Sequence, residues 1–372
     1  MDESLICTSC RRPHSIDARL WKCVSCGAPL ELTGQREFSL AEADKRDRSI
    51  WRYRHLFPVG GGVEPVSLGE GGTPMIDVWN KVAQRRPRVL AKLDYLNPTG
   101  SFKDRGIAVL MTALRASRVP EAVEDSSGNA GASFAAYAAR ADIRARVFVP
   151  EAASPAKLRQ IEVHGATVVR VLGPRSNAAE AARHAAEGGT AYASHVYSPF
   201  NIAGLATAAY EIWEQLGYAP QWIICPAGHG TFLLGLSHGF STLHAAGLIE
   251  KFPRLIGVQA SACAPMWLAH RGGPDSASSP AEGHTIAEGI RISQPVHSTR
   301  VLAAIGQSGG DVLAVQEAEI RRGQSELARL GLYVEPTSAV VWAALGEIMQ
   351  RATPEETIVV MLTGSGLKSP LP

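Results

Sequence analysis

Lys103 sits where a lysine could do covalent chemistry. In the stretch KLDYLNPTGSFKDR, residues 92–105, Asn97, Pro98, Thr99 and Gly100 form a turn that ends in Ser101 and Phe102. Ile107, Leu110, Met111 and Leu114 then recur at helical spacing. Lys103 is thus predicted in the first turn of a helix, where the positive end of the helix dipole and the adjacent Arg105 both disfavour an ammonium. An amine that sheds its proton readily can form a Schiff base with a carbonyl. Lysines in helix caps are common, so the reading depends on the loops that accompany it.

Two of those loops suit anions. In SSGNAGAS, residues 126–133, small residues lead into an alanine-rich helix, so backbone N–H groups can receive a carboxylate or phosphate while Asn129 offers an amide donor. In PAGHGT, residues 226–231, Gly228 and Gly230 let the backbone wrap an anion and Thr231 adds a hydroxyl. The loop lacks the lysine and spacing of a nucleotide P-loop, and no dinucleotide fingerprint appears. At the N-terminus, Cys7 and Cys10 form one C-x-x-C pair and Cys23 and Cys26 another, with twelve residues between them. Two such knuckles make a tetrahedral sulfur cage of the kind a structural zinc takes, and bound metal would supply the folding energy that so short a segment lacks. With all four positions filled by protein, no catalysis is expected there. Cys225 and Cys263 stand apart, so the cysteines are not a disulfide framework.

The elements that must carry these residues alternate. Strands are predicted at 146–149, 167–171, 222–225, 255–258 and 357–362, with helices at 155–164, 177–187, 202–216, from 232, 316–330 and 338–349. That order is α/β and calls for parallel sheets with helices on both faces. A connector occupies 31–54, SLGEGGTPM (67–75) is a tight loop, and 271–284 is a Gly, Ser and Pro-rich loop. The 372 residues are 45% apolar, enough for a two-lobed body, and 37 basic against 35 acidic residues give no field for nucleic acid. Arg11, Arg12, Trp21 and Lys22 are too few for a nucleic-acid face. No apolar run approaches eighteen residues and no leader is visible, so a cytoplasmic, non-membrane chain is expected.

Together the motifs NPTGSFKDR (97–105), SSGN (126–129), the glycine loop at 226–231, TIAEGIRI (285–292), VEPTSAV (334–340) and TGSGLK (363–368) resemble the fold type II (tryptophan synthase β-like) pyridoxal-phosphate-dependent enzymes, in the threonine synthase-like branch. The resemblance spans nearly all of the chain after the cysteine segment. It implies two doubly wound parallel-sheet lobes preceded by a zinc ribbon: ribbon 1–33, connector and first part of the large domain 34–96, small α/β domain 97–198, and large cofactor-binding α/β domain 199–372. It further implies that Lys103 holds pyridoxal 5'-phosphate, with Phe102 beside it, that Asn129 faces the ring hydroxyl, that Gly228, His229, Gly230 and Thr231 hold the phosphate, and that Thr363 faces the pyridine nitrogen. Ser126 and Ser127 are placed at the substrate carboxylate. A hydroxyl at the pyridine nitrogen suits loss of a β or γ group better than transamination.

Two positions depart from the threonine synthase pattern. Asn201 stands where those enzymes use an arginine on the substrate phosphate, and Ala130 stands where they commonly have threonine. Loss of a guanidinium from a dianion site costs about 1.5–3 kcal/mol. The expected activity is therefore β/γ-elimination or replacement on a small amino acid, phosphorylated and otherwise activated ones included, with Asn201 beside Ser126 and Ser127 in the substrate site, Lys103 as base and proton shuttle, structural zinc, and a homodimeric assembly. The alternatives are a true threonine synthase, a serine/threonine dehydratase-like ammonia-lyase, and a non-catalytic binding or regulatory protein. Glu288 is a candidate acid or salt-bridge partner, and Glu335 reads as a helix-start residue. His164, His195, His270 and His284 show no ligand spacing and receive no role.

Overall fold

The computed structural model describes residues 3–34, 36–60, 62–79, 86–153, 155–272 and 283–368. The chain forms two compact units, one from residues 1–72 and 97–207, the other from 73–96 and 208–372.

In the first unit, strands β1 (Ser4–Cys7), β2 (Pro13–His14) and β3 (Leu30–Thr33) make a small antiparallel sheet in the order β2-β1-β3. A parallel sheet follows in the order β8-β7-β6-β9, from β6 (Glu121–Glu124), β7 (Arg144–Pro150), β8 (Thr167–Val171) and β9 (Ala191–Tyr192). Its helices are α1 (Lys103–Ala116), α2 (Asn129–Ala141), α3 (Pro155–Glu162), α4 (Arg175–Glu187) and the first half of α5 (Pro199–Leu216). Helix α1 is buried continuously from Asp104 to Leu114, which places it in the middle of this core rather than on its surface. The loop at 67–72 is tied down by a buried carboxylate: Glu70 accepts from Trp51 Nε1, Tyr137 Oη and the Leu68 amide at 2.7, 2.7 and 2.9 Å.

The second unit is built on six strands in the order β12-β11-β10-β13-β5-β4. They are β4 (Met75–Asp77), β5 (Arg88–Lys92), β10 (Trp222–Pro226), β11 (Arg254–Ala260), β12 (Asp311–Val315) and β13 (Thr357–Met361). All pair in parallel except β4, which runs antiparallel on the edge. WIICP and TIVVM are buried at every position, the pattern of parallel strands covered on both faces. Helices α6 (Thr231–Ala245), α7 (Pro265–Gly272), α8 (Ser298–Gln307), α9 (Glu317–Arg329) and α10 (Pro336–Arg351) supply those covers. Among the described residues no helix is long and apolar enough to cross a membrane.

Every predicted strand is present, and the predicted helices agree to within a turn at their ends. Strands β1–β5, β9 and β12 and helices α7 and α8 are additions to the sequence reading. Much of the predicted 271–284 loop, residues 273–282, lies outside the described residues.

Candidate functional site

Lys103 is the first residue of α1, as its sequence context predicts, and is half-buried with its ammonium 4.6 Å from the centre of the Phe102 ring. The turn before it is closed by the Asn97 carbonyl, which accepts from the Gly100 amide at 2.8 Å, with Gly100 at φ +80°. The next residue fixes the turn to the helix. Asp104, fully buried, accepts from the Thr99 amide (2.7 Å), Thr99 Oγ1 (2.6 Å) and Ser133 Oγ (2.6 Å). Charge-assisted bonds of this kind are worth about 1.5–3 kcal/mol each, so the lysine stands on a rigid base. Arg105 is also fully buried and donates to Thr207 Oγ1 at 3.1 Å.

The loop from Ser126 to Gly128 delivers Asn129 as the first residue of α2. Ser126 is nearly buried and its hydroxyl accepts from the Gly128 amide at 3.2 Å, while Ser127 and Asn129 are half-buried. Gly131 makes the turn possible, because a Cβ there would lie 1.8 Å from the Ser126 carbonyl oxygen. Asn201 is fully buried; its amide donates to the His195 carbonyl at 2.7 Å and its Oδ1 has no hydrogen-bond partner among the described residues. The side chain packs on Gly106 of α1, where a Cβ would sit 1.9 Å from Asn201 Oδ1.

Sequence reasoning missed the charges behind this loop. Glu124, Asp125 and His195 are buried, with one polar atom of each within 4.8 Å of the others. Glu124 Oε1 and His195 Nδ1 share a hydrogen bond, and Tyr192 Oη donates to Asp125 Oδ1 at 2.7 Å. Burial pushes the Glu124 carboxyl up to about 8 against the opposing pull of the Lys103 charge. Burial, then the Lys103 charge, holds His195 well below its usual range, and burial together with Glu124 raises Asp125. Burial thus favours the uncharged form of both partners, while the Lys103 charge opposes it on the carboxyl. His195 is separated from Glu124 by 71 positions in the chain, and only the pairing of β6 with β9 brings them together.

In the second unit, the loop after β10 ends in Gly230 at φ +84°, with α6 beginning at Thr231. A Cβ on Gly230 would meet Val301 Cγ2 at 2.2 Å, and one on Gly228 would lie 3.1 Å from the Gly289 carbonyl, so the loop is held closely by Val301 and the 285–292 segment. The arrangement presents amides and the Thr231 hydroxyl at the head of a fifteen-residue helix, which can hold an anion. His229 is half-buried and its Nδ1 accepts weakly from the Val296 amide at 3.4 Å. Thr363 is buried beside Ser338, whose Oγ lies 3.0 Å from Thr363 Oγ1 and accepts from the amides of Thr363 and Gly364 at 2.9 and 2.8 Å. Glu335 caps α10 ahead of Pro336, and its carboxylate packs against Gly364. Glu288 is exposed.

The four cysteine sulfurs lie within 4.8 Å of one another. Amides of Ser9 and Cys10 point at Cys7 Sγ and that of Ser25 at Cys23 Sγ, all at 3.4 Å. Each knuckle turns out through a left-handed residue, Arg11 at φ 59° and Gly27 at φ 73°.

Comparison with known proteins agrees with this geometry. The pattern of the family described as "Pyridoxal-phosphate dependent enzyme" matches residues 66–364. The chain is 34% identical to the threonine synthase of Methanocaldococcus jannaschii over 98% of its own length and 92% of that protein. It is 38% identical to the threonine synthase of Mycobacterium tuberculosis strain H37Rv, over 86% of this chain and 88% of the relative. Among solved structures, the T.th. threonine deaminase superposes with a TM-score of 0.65 at 26% identity, covering 78% of this chain and 94% of that one. An L-serine ammonia-lyase from Rhizomucor miehei shares the fold with a TM-score of 0.68 at 21% identity, over 81% of this chain and 95% of its own. The chain belongs to the family of pyridoxal-phosphate-dependent enzymes.

Proposed function

We propose that this enzyme eliminates or replaces a β or γ substituent on a small amino acid, in the manner of a threonine synthase. The observation that carries the reading is the likeness to threonine synthases over nearly the whole chain. The residues fit the cofactor. Gly228 and Gly230 let the loop pack against Gly289 and Val301 more closely than a Cβ would allow, which seats its amides at the head of α6 for a phosphate. Thr363 is a hydroxyl clasped by Ser338, suited to a pyridine nitrogen. When bound, pyridoxal phosphate supplies the electron-accepting ring that weakens bonds at the amino acid's α-carbon.

The remaining work falls to the chain's own groups. Lys103 Nζ is assigned as the attachment point and as the base that takes and returns the α-proton, with Phe102 beside it. Ser126 and Ser127 hold the substrate carboxylate at the head of α2, and Asn129 donates to the ring oxygen. Asn201 brings no positive charge and its amide is spent on His195, which favours substrates whose leaving group is not a phosphate dianion, as in an ammonia-lyase acting on a hydroxy amino acid.

Incubation of the cofactor-loaded protein with serine, threonine, phosphoserine and phosphohomoserine tests this directly. Elimination or replacement at the β or γ carbon of one of these donors is the expected result, with a 2-oxo acid from a hydroxy amino acid marking an ammonia-lyase. Threonine and phosphate from phosphohomoserine would instead establish a true synthase, and no turnover of any donor would remove the reading.

The cysteine cluster is assigned to a structural zinc, supported by the sulfur spacing and the amides aimed at two of the sulfurs. One zinc per chain is expected by elemental analysis, lost in Cys7→Ser with loss of the β1–β3 segment's protection from proteolysis. A Cys7→Ser protein that keeps both metal content and protection would refute the assignment.

A further inference from the structure

The Glu124–His195 pair is unexplained by the roles above. Both side chains are fully or almost fully buried, at 0% and 4% exposure, and Glu124 Oε2 has no hydrogen-bond partner among the described residues. Such a carboxylate costs several kcal/mol to desolvate, and an apolar residue of similar size would be a cheaper way to finish β6. Burying it immediately before the substrate loop suggests use.

Its surroundings connect it to the lysine. The Asn201 amide holds the His195 carbonyl, and Asn201 itself rests on Gly106, one turn along α1 from Lys103. The charges that act on the pair come from Lys103 on α1, Arg175 on α4 and Asp125 after β6, with Tyr192 of β9 bound to Asp125.

We propose that Glu124 and His195 are a buried proton-holding pair that sets the charge of Lys103 and so positions the pH range in which the lysine works as a base. The proposal rests on the assignment of Lys103 as that base. Two states balance. In one, Lys103 is an ammonium and Glu124 a carboxylate beside neutral His195. In the other, the proton has left Nζ for Glu124, giving a neutral amine and a carboxylic acid whose O–H donates to His195 Nδ1. The two states carry the same number of protons, so the buried net charge is unchanged and no ion is left unmatched. By reciprocity, the ammonium that favours ionised Glu124 is itself favoured by it, and removing the carboxylate should drive the lysine to lose its proton at lower pH.

The test needs no turnover. The full chain, freed of cofactor, is labelled competitively with acetic anhydride across pH, and the Lys103 labelling midpoint is read by peptide mass spectrometry. In Glu124→Gln the midpoint should fall by about one pH unit, the scale of one charge acting on another in a shared low-dielectric site, with Glu124→Asp intermediate. A folded Glu124→Gln protein with an unmoved midpoint overturns the proposal, even if its melting temperature falls. Should Glu124→Gln fail to fold, His195→Leu serves: it leaves a Glu124 carboxylate with no donor from position 195 and so favours the neutral acid, the Lys103 midpoint should fall, and an unmoved or raised midpoint overturns the proposal. If borohydride reduction of the loaded wild type places the cofactor on another lysine, the assignment of Lys103 fails separately, whatever the labelling shows.

Discussion

Lys103→Ala should lower turnover of the accepted donor by at least about four orders of magnitude, because one substitution removes both the attachment point and the base that moves the α-proton. The fold should persist. The side chain is half-buried, and the bonds that seat α1 belong to its neighbours Asp104 and Arg105. Loss of the Lys103 charge leaves Glu124 to hold its proton as a neutral acid, so the melting temperature should fall by only about a few degrees. Rate assays with thermal melting on the same preparation check both parts. A variant that keeps a tenth of wild-type turnover would remove Lys103 from the chemistry.

The second large effect is expected at Gly230→Ala. The residue sits at φ +84°, which costs an alanine about 1–2 kcal/mol, and the new methyl would lie 2.2 Å from Val301 Cγ2. Something must shift, and what shifts is the loop whose amides head α6. Misplacement of such donors by an ångström costs on the order of a hundredfold, so cofactor affinity should fall by about that factor in a spectroscopic titration. Gly247→Ala separates strain from displacement, since Gly247 also has positive φ, +70°, but open space around its Cβ. It should cost about 1 kcal/mol of stability and leave cofactor affinity alone. Equal losses of affinity in both variants would deny the loop its phosphate.

How much was legible in the sequence depends on how local the determining force is. WIICP and TIVVM announce covered parallel strands by composition alone, and the glycine and serine loops announce helix starts. RVLAK does not, because it ends in Lys92. That lysine is buried because it pairs with Glu211 at 2.7 Å, 119 positions on, and donates to the Thr73 carbonyl at 2.7 Å and Gln215 Oε1 at 3.1 Å. Strand β9 is two residues long, too short for any periodicity. The site divides in the same way. Lys103, the SSGN loop and the glycine loop are contiguous motifs, so type and spacing expose them. The partnership of Glu124 with His195 exists only through the β6–β9 pairing, and sequence spacing left His195 without a role. The local view also named only influences that drive the proton from Lys103, a dipole and Arg105, whereas the fold adds a buried carboxylate acting the other way.

The most direct measurement is the position of the cofactor on the chain. The protein is loaded with pyridoxal phosphate, reduced with borohydride, digested and mapped by mass spectrometry. A pyridoxyl phosphate adduct on the peptide carrying Lys103, absent from Lys103→Ala, is the expected result. An adduct on a different lysine, or none despite bound cofactor, would contradict it.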